Sequence, residues 1–182
     1  MSNRRRLTAW LATLLTAVGL VAVGLARSAQ ADVVPYRLIQ NYGSGMCLQP
    51  PPGHVTEVGF QLVQAPCHEG LIEQRWTLES LGGNSYRWSN RSTFGCMDAH
   101  GPNANRTPVD TWPCSTISNQ RWIMQGGNFY IKSAIGGRCL DVAGGSLQAG
   151  APIQIYACTS DNPLSDNPAQ AWFIRLPGDL PW

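Results

Sequence analysis

Apolar and polar positions alternate in short stretches along this chain. Trp76 with Leu78, Trp122 with Met124 and Trp172 with Ile174 lie two residues apart, which puts each pair on one face of a strand and sends those faces toward a common core. The first two stretches run into Gly82-Gly83-Asn84 and Gly126-Gly127-Asn128. Such residues accept positive φ and join hairpin strands, so partner strands are expected at Tyr86 to Asn90 and at Tyr130 to Ser133. The third stretch ends at Pro177-Gly178, whereas Tyr36 opens the first with no partner before it; the two ends are expected to complete the missing hairpin. Thirteen prolines and nineteen glycines accompany no helical period of useful length after residue 31, so the fold class expected is all-β. Closing the strands into a barrel would remove exposed edges.

Each alternating stretch closes one copy of a larger pattern: a Cys, a second Cys about 20 residues on, then Gln-x-Trp. The copies are Cys47, Cys67 and Gln74-Arg75-Trp76; Cys96, Cys114 and Gln120-Arg121-Trp122; and Cys139, Cys158 and Gln170-Ala171-Trp172. A repeat of this length signals units that cannot bury their apolar faces alone, so three of them close around one core. The repeats are placed at about 35–80, 84–126 and 128–176 within a single domain, 32–182. All six cysteines belong to the pattern. Of the fifteen pairings that six cysteines allow, the repeat symmetry selects Cys47-Cys67, Cys96-Cys114 and Cys139-Cys158.

Residues 1–31 read as a cleaved export signal: Arg4, Arg5 and Arg6, an apolar run from Leu7 to Ala26, then Ala29-Gln30-Ala31 as the cleavage site. The mature chain is expected to start at Asp32 and to be secreted and extracellular, where disulfides form. Removing that segment takes four arginines and no acid, leaving nine basic and eleven acidic residues and a net charge of −2. A surface so near neutrality has no footprint for nucleic acid or anionic membrane, and neither is expected as a partner. The Asn90-Arg91-Ser92 and Asn105-Arg106-Thr107 triplets fit the glycosylation sequon.

The segments Cys139-Leu140-Asp141-Val142, Ile153-Gln154-Ile155-Tyr156-Ala157-Cys158 and Gln170-Ala171-Trp172 resemble the repeat of ricin B-type lectins, a pattern shared with family 13 carbohydrate-binding modules. The resemblance spans about residues 35 to 176. It implies a β-trefoil of three repeats with pseudo-threefold symmetry. It also implies one sugar pocket per repeat, built from an acid two residues after the first Cys and an aromatic two residues before the second. A carboxylate accepts hydrogen bonds from neighbouring sugar hydroxyls, and an aromatic face stacks on the C–H face of a pyranose.

On this reading the third repeat supplies Asp141 and Tyr156, with Gln154 on the same strand face and Thr159 where the family usually carries Asn. The second supplies Asp98 and Trp112, with Ser115 in the Asn position and Asp110 in the place of Gln154. For an Asp98/Asp110 pair three arrangements are open: a shared proton, a bridging cation such as calcium, or Asp110 turned into solvent, the last being the plainest. The first repeat carries Gln49 for the acid, Ala65 for the aromatic and Val63 in the place of Gln154, followed by Pro50-Pro51-Pro52. Its pocket is expected to be inactive.

Trp76, Trp122 and Trp172 are expected in the core, with Gln74, Gln120 and Gln170 satisfying buried backbone groups. His54, His68 and His100 lack ligand-like spacing and are assigned no role; neither a metal nor a cofactor is expected. The function expected is non-catalytic binding of galactose-like or xylan/arabinan-type glycans or polysaccharides by a monomer. A loop-based protein-interaction or protease-inhibitor trefoil is the alternative, with the long segment Ser160 to Pro168 as its contact. A glycosidase using Asp98 and Asp110 is the catalytic alternative.

Overall fold

The short alternating stretches become short strands. A computed structural model describes residues 36–124, 129–159, 163–176 and 178–179. The expected export signal, the Gly126-Gly127-Asn128 turn and residues 160–162 of the long loop lie outside the described residues. Among the described residues the chain forms twelve strands, four per repeat. The first repeat contributes β1 (Leu38–Asn41), β2 (Cys47–Gln49), β3 (Val63–Ala65) and β4 (Trp76–Gly82). The second contributes β5 (Ser85–Asn90), β6 (Cys96–Ala99), β7 (Thr107–Trp112) and β8 (Trp122–Ile123). The third contributes β9 (Lys132–Ser133), β10 (Cys139–Val142), β11 (Ile153–Tyr156) and β12 (Trp172–Arg175). A single α-helical turn, α1 (Pro163–Asp166), occupies the described part of the long third-repeat loop.

The barrel closes as the two chain ends predict, since β1 pairs antiparallel with β12 from Leu38↔Arg175 to Asn41↔Trp172. The hairpin β4–β5 turns at Gly82 (φ 91°) and Gly83 (φ 58°), left-handed positions that favour glycine. Three further hairpins are β2–β3, β6–β7 and β10–β11, and β8 pairs with β9. These three hairpins also meet one another, through Gln61↔Asp110, Pro108↔Gln154 and Pro152↔Val63. This is a β-trefoil: a closed barrel capped by a triplet of hairpins.

Each Gln-x-Trp tryptophan is buried, and its indole Nε1 donates to the carbonyl of the residue after the first Cys of its repeat. The pairs are Trp76 to Leu48 (3.0 Å), Trp122 to Met97 (2.9 Å) and Trp172 to Leu140 (2.9 Å). The core around them includes Ile39, Leu62, Trp88, Val109, Ile131, Ile153 and Ile155. Truncating one such tryptophan to Ala costs about 3–5 kcal/mol. The three disulfides join Cys47-Cys67, Cys96-Cys114 and Cys139-Cys158, with Cα separations of 4.9, 4.9 and 5.3 Å. Each closes a loop of 18 to 20 residues, stabilising by about 3 kcal/mol in the chain-entropy description. The sequon at Asn90 is closed by folding: that side chain is buried and its Nδ2 donates to the Glu73 carbonyl.

Candidate functional site

The same hydrogen-bond device recurs behind the acid position of every repeat. The Gln of Gln-x-Trp sits in a 3-10 turn at the entry to the last strand and reaches back beneath the hairpin. In the third repeat Gln170 Nε2 donates to Asp141 Oδ2 at 3.0 Å and to the Ala157 carbonyl at 3.0 Å, while its Oε1 accepts the Thr159 N–H. In the second, Gln120 Nε2 donates to Asp98 Oδ2 at 2.9 Å and to the Pro113 carbonyl, and its Oε1 accepts the Ser115 N–H. In the first, Gln74 Nε2 donates to Gln49 Oε1 at 2.8 Å and to the Pro66 carbonyl, and its Oε1 accepts the His68 N–H. The glutamines therefore satisfy part-buried backbone groups and aim the residue at the acid position.

The third repeat brings its four expected residues together. Asp141, Gln154, Tyr156 and Thr159 line one open pocket of about 280 Å³. Register places Asp141 opposite Gln154 on β10 and β11, and Gln154 Nε2 donates to Asp141 Oδ1 at 2.8 Å. Both carboxylate oxygens are thus held by amide donors, leaving second lone pairs for a ligand. Burial pushes the Asp141 carboxyl above its ordinary range, and the bonds from Gln154 and Gln170 pull it partly back. The walls also include Arg106, Gly144, Gly145 and Asn167, which the repeat motif does not mark. Gly144 and Gly145 take φ of 65° and 64°, wrapping the chain around the pocket. Arg106 comes from the neighbouring repeat, just before β7, and Asn167 follows α1.

In the second repeat, Asp98 faces Asp110 across β6 and β7. Asp110 does not turn into solvent; its side chain is 7 % exposed. The expected absence of a role for His100 needs correction for the same reason: His100 Nδ1 lies 2.7 Å from Asp110 Oδ2. Two residues after Asp98 on the outgoing chain, His100 reaches the same face and answers the second carboxylate. Asp110 Oδ1 is buried and has no hydrogen-bond partner among the described residues. Its carboxyl is pushed up to about 6, chiefly by burial, against the opposing pull of His100 and with a smaller upward push from Asp98. Trp112, 42 % exposed, offers an open ring, and His100 meets it edge-on with centroids 4.8 Å apart. Ser115 is held by its N–H on Gln120, and its carbonyl accepts Arg87 Nη1 at 2.8 Å.

The first repeat keeps the frame and loses the chemistry. Gln49 is buried, with its Oε1 on Gln74 and its Nε2 on the Pro50 carbonyl. Val63 stands opposite Gln49 and Ala65 opposite Cys47, so these positions carry neither a carboxylate nor a ring.

Among the described residues no group of three or more His, Cys, Asp or Glu is arranged to hold a metal. No described helix is long and apolar enough to cross a membrane.

Comparison with known proteins agrees with this fold. Residues 35–172 match the ricin-type β-trefoil lectin domain family. Among solved structures, the designed threefold-symmetric protein ThreeFoil is 23 % identical, with a TM-score of 0.68 over 76 % of this chain and 96 % of that one. An exo-β-1,3-galactanase from Clostridium thermocellum is 23 % identical, with a TM-score of 0.67 over 78 % of this chain but only 30 % of its own. The C-half of the earthworm R-type lectin in complex with GalNAc is 17 % identical, with a TM-score of 0.61 over 78 % of this chain and 98 % of that one. At these identities the likeness is one of fold. The comparison with curated proteins gives no match.

Proposed function

The chain belongs to the ricin-type β-trefoil lectin domain family, and from that premise we propose that it is a non-catalytic carbohydrate-binding protein whose principal site is the third-repeat pocket. The observation that carries this reading is the double clamp on Asp141, in which Gln154 and Gln170 hold one carboxylate oxygen each. A carboxylate fixed in this way accepts from two adjacent sugar hydroxyls with little loss of side-chain freedom, and charge-assisted bonds contribute about 1.5–3 kcal/mol each. Tyr156 supplies the stacking surface and Thr159 a hydroxyl.

Asp98 and Trp112, with His100 set between Asp110 and the Trp112 ring, form a second and weaker site, while the first repeat serves the architecture. Open pockets of this size hold single sugars weakly, and two on one rigid body favour polymers through effective concentration. Galactose-like and xylan- or arabinan-type glycans are the ligand classes proposed. The three disulfides suit an oxidising, extracellular setting.

A broad glycan array probed with the protein and with an Asp98→Ala/Asp141→Ala variant tests the reading. Loss of binding in a variant that keeps its cooperative thermal transition supports it. Glycan retention equal to the parent's removes both sites from consideration.

A further inference from the structure

Resting on the third-repeat pocket as a sugar site, we propose that Arg106 makes this pocket selective for an acidic sugar, a uronic acid whose carboxylate meets the guanidinium while Asp141 holds ring hydroxyls. One loop position is built alike in all three repeats. Two residues before each contact between neighbouring hairpins, the chain takes a left-handed turn and donates its N–H to the adjoining hairpin. Gly59 (φ 87°) donates to the Thr111 carbonyl at 2.7 Å, and Gly150 (φ 84°) to Gln64 at 2.8 Å. At the equivalent place Arg106 (φ 70°) donates to Ile155 at 3.0 Å.

Two repeats use glycine here because a side chain in this backbone region is strained, by about 1–2 kcal/mol. The loop of the second repeat keeps the strain and carries the most strongly basic side chain available. Nothing internal explains it: Arg106 is exposed, and its guanidinium makes no ion pair or hydrogen bond among the described residues. It does line the pocket of Asp141, Tyr156 and Thr159.

The loop of the first repeat, which adjoins the second-repeat pocket, does the opposite with the same place. A Cβ at Gly59 would lie 2.9 Å from Trp112 Cζ3, so the missing side chain there leaves room for the indole. One pocket is covered by a neutral ring beside two carboxylates, and the other is edged by a cation beside one. The planar guanidinium fork matches a carboxylate in a two-bond geometry that a hydroxyl cannot copy. Because Arg106 is open to water, its contribution is that of a partly screened pair.

Binding of methyl galactoside and methyl galacturonide, and of the matched glucoside and glucuronide, is measured on the protein by titration at 20 mM and 500 mM salt. The proposal expects the acid member of at least one pair to bind about fivefold or more tightly at low salt, with the preference shrinking at high salt. Arg106→Gly, the residue that the other two repeats already carry, should fold normally and erase the preference. Arg106→Lys should keep part of it. Equal binding of acid and neutral sugars, both lost in Asp141→Ala, overturns this proposal and leaves the pocket standing. Uronide binding that survives Asp141→Ala, or no binding of either sugar, overturns the pocket and the proposal together.

Discussion

Gln170 donates from Nε2 to Asp141 Oδ2 at 3.0 Å, so the residue that defines the repeat also fixes the residue proposed to meet the ligand. On that proposal architecture and recognition share one side chain. Gln170→Ala would strand the Ala157 carbonyl, the Thr159 N–H and one Asp141 oxygen. It should lower unfolding free energy by about 3 kcal/mol, since each unmet buried group costs about 1–3 kcal/mol. Denaturant unfolding measures the loss, and glycan affinity should fall with it although Gln170 is itself fully buried.

Gln49 tests the converse. It stands where Asp98 and Asp141 stand, and it accepts from Gln74 in the same way. Gln49→Ala should destabilise by about 1–2 kcal/mol and leave every glycan affinity unchanged. An affinity change, read by titration, would show that the first repeat takes part in binding.

Asp110 provides a pH signature. Its carboxyl titrates near 6 in the folded chain, against an ordinary value of 3.8. Folding therefore takes up a proton between those values, and stability conferred by the protonated group is present below about 4 and lost as pH rises through 6. Asp110→Asn, which has no charge to bury, should be more stable than the parent at pH 7 by thermal melting. The two should converge as pH falls toward 4. A difference independent of pH would mean that Asp110 carries no raised pKa.

Phe94 adopts φ of 56° and is 82 % exposed, two residues before the first Cys of its repeat. Gly45 (φ 69°) and Gly137 (φ 74°) hold that place in the other two repeats. Phe94→Gly should relieve the left-handed strain and raise stability by about 1 kcal/mol, measurable as a higher denaturation midpoint at unchanged slope.

Much of this was legible because the repeat motif marks positions that act within one repeat. The cysteine pairs and the buried tryptophans follow from the spacing of the repeat, and the Asp141, Gln154, Tyr156 and Thr159 set from the resemblance to the ricin B-type repeat, whose marked positions lie in a single hairpin and its closing turn. Arg106 was not legible that way, because its loop belongs to the second repeat and reaches the third-repeat pocket only when β7 and β11 pair. A signal existed in the exchange of glycine for arginine between equivalent loops, but those loops lie outside the segments that cysteines and Gln-x-Trp align. His100 escaped for a different reason. Its partner is ten residues away across the β6–β7 hairpin, and only the register that sets Asp98 against Asp110 brings His100 alongside.

The most direct test of the third-repeat site is an NMR titration of the isotopically labelled protein with the glycan selected on the array, following backbone and side-chain amide signals. Shifts should concentrate on Gly144, Gly145, Gln154, Tyr156 and Thr159, including the Gln154 side-chain amide on Asp141. A smaller set is expected around Trp112 and His100. Shifts confined to the first repeat, or to the α1 loop with Gln154 and Thr159 unmoved, would contradict the third-repeat site.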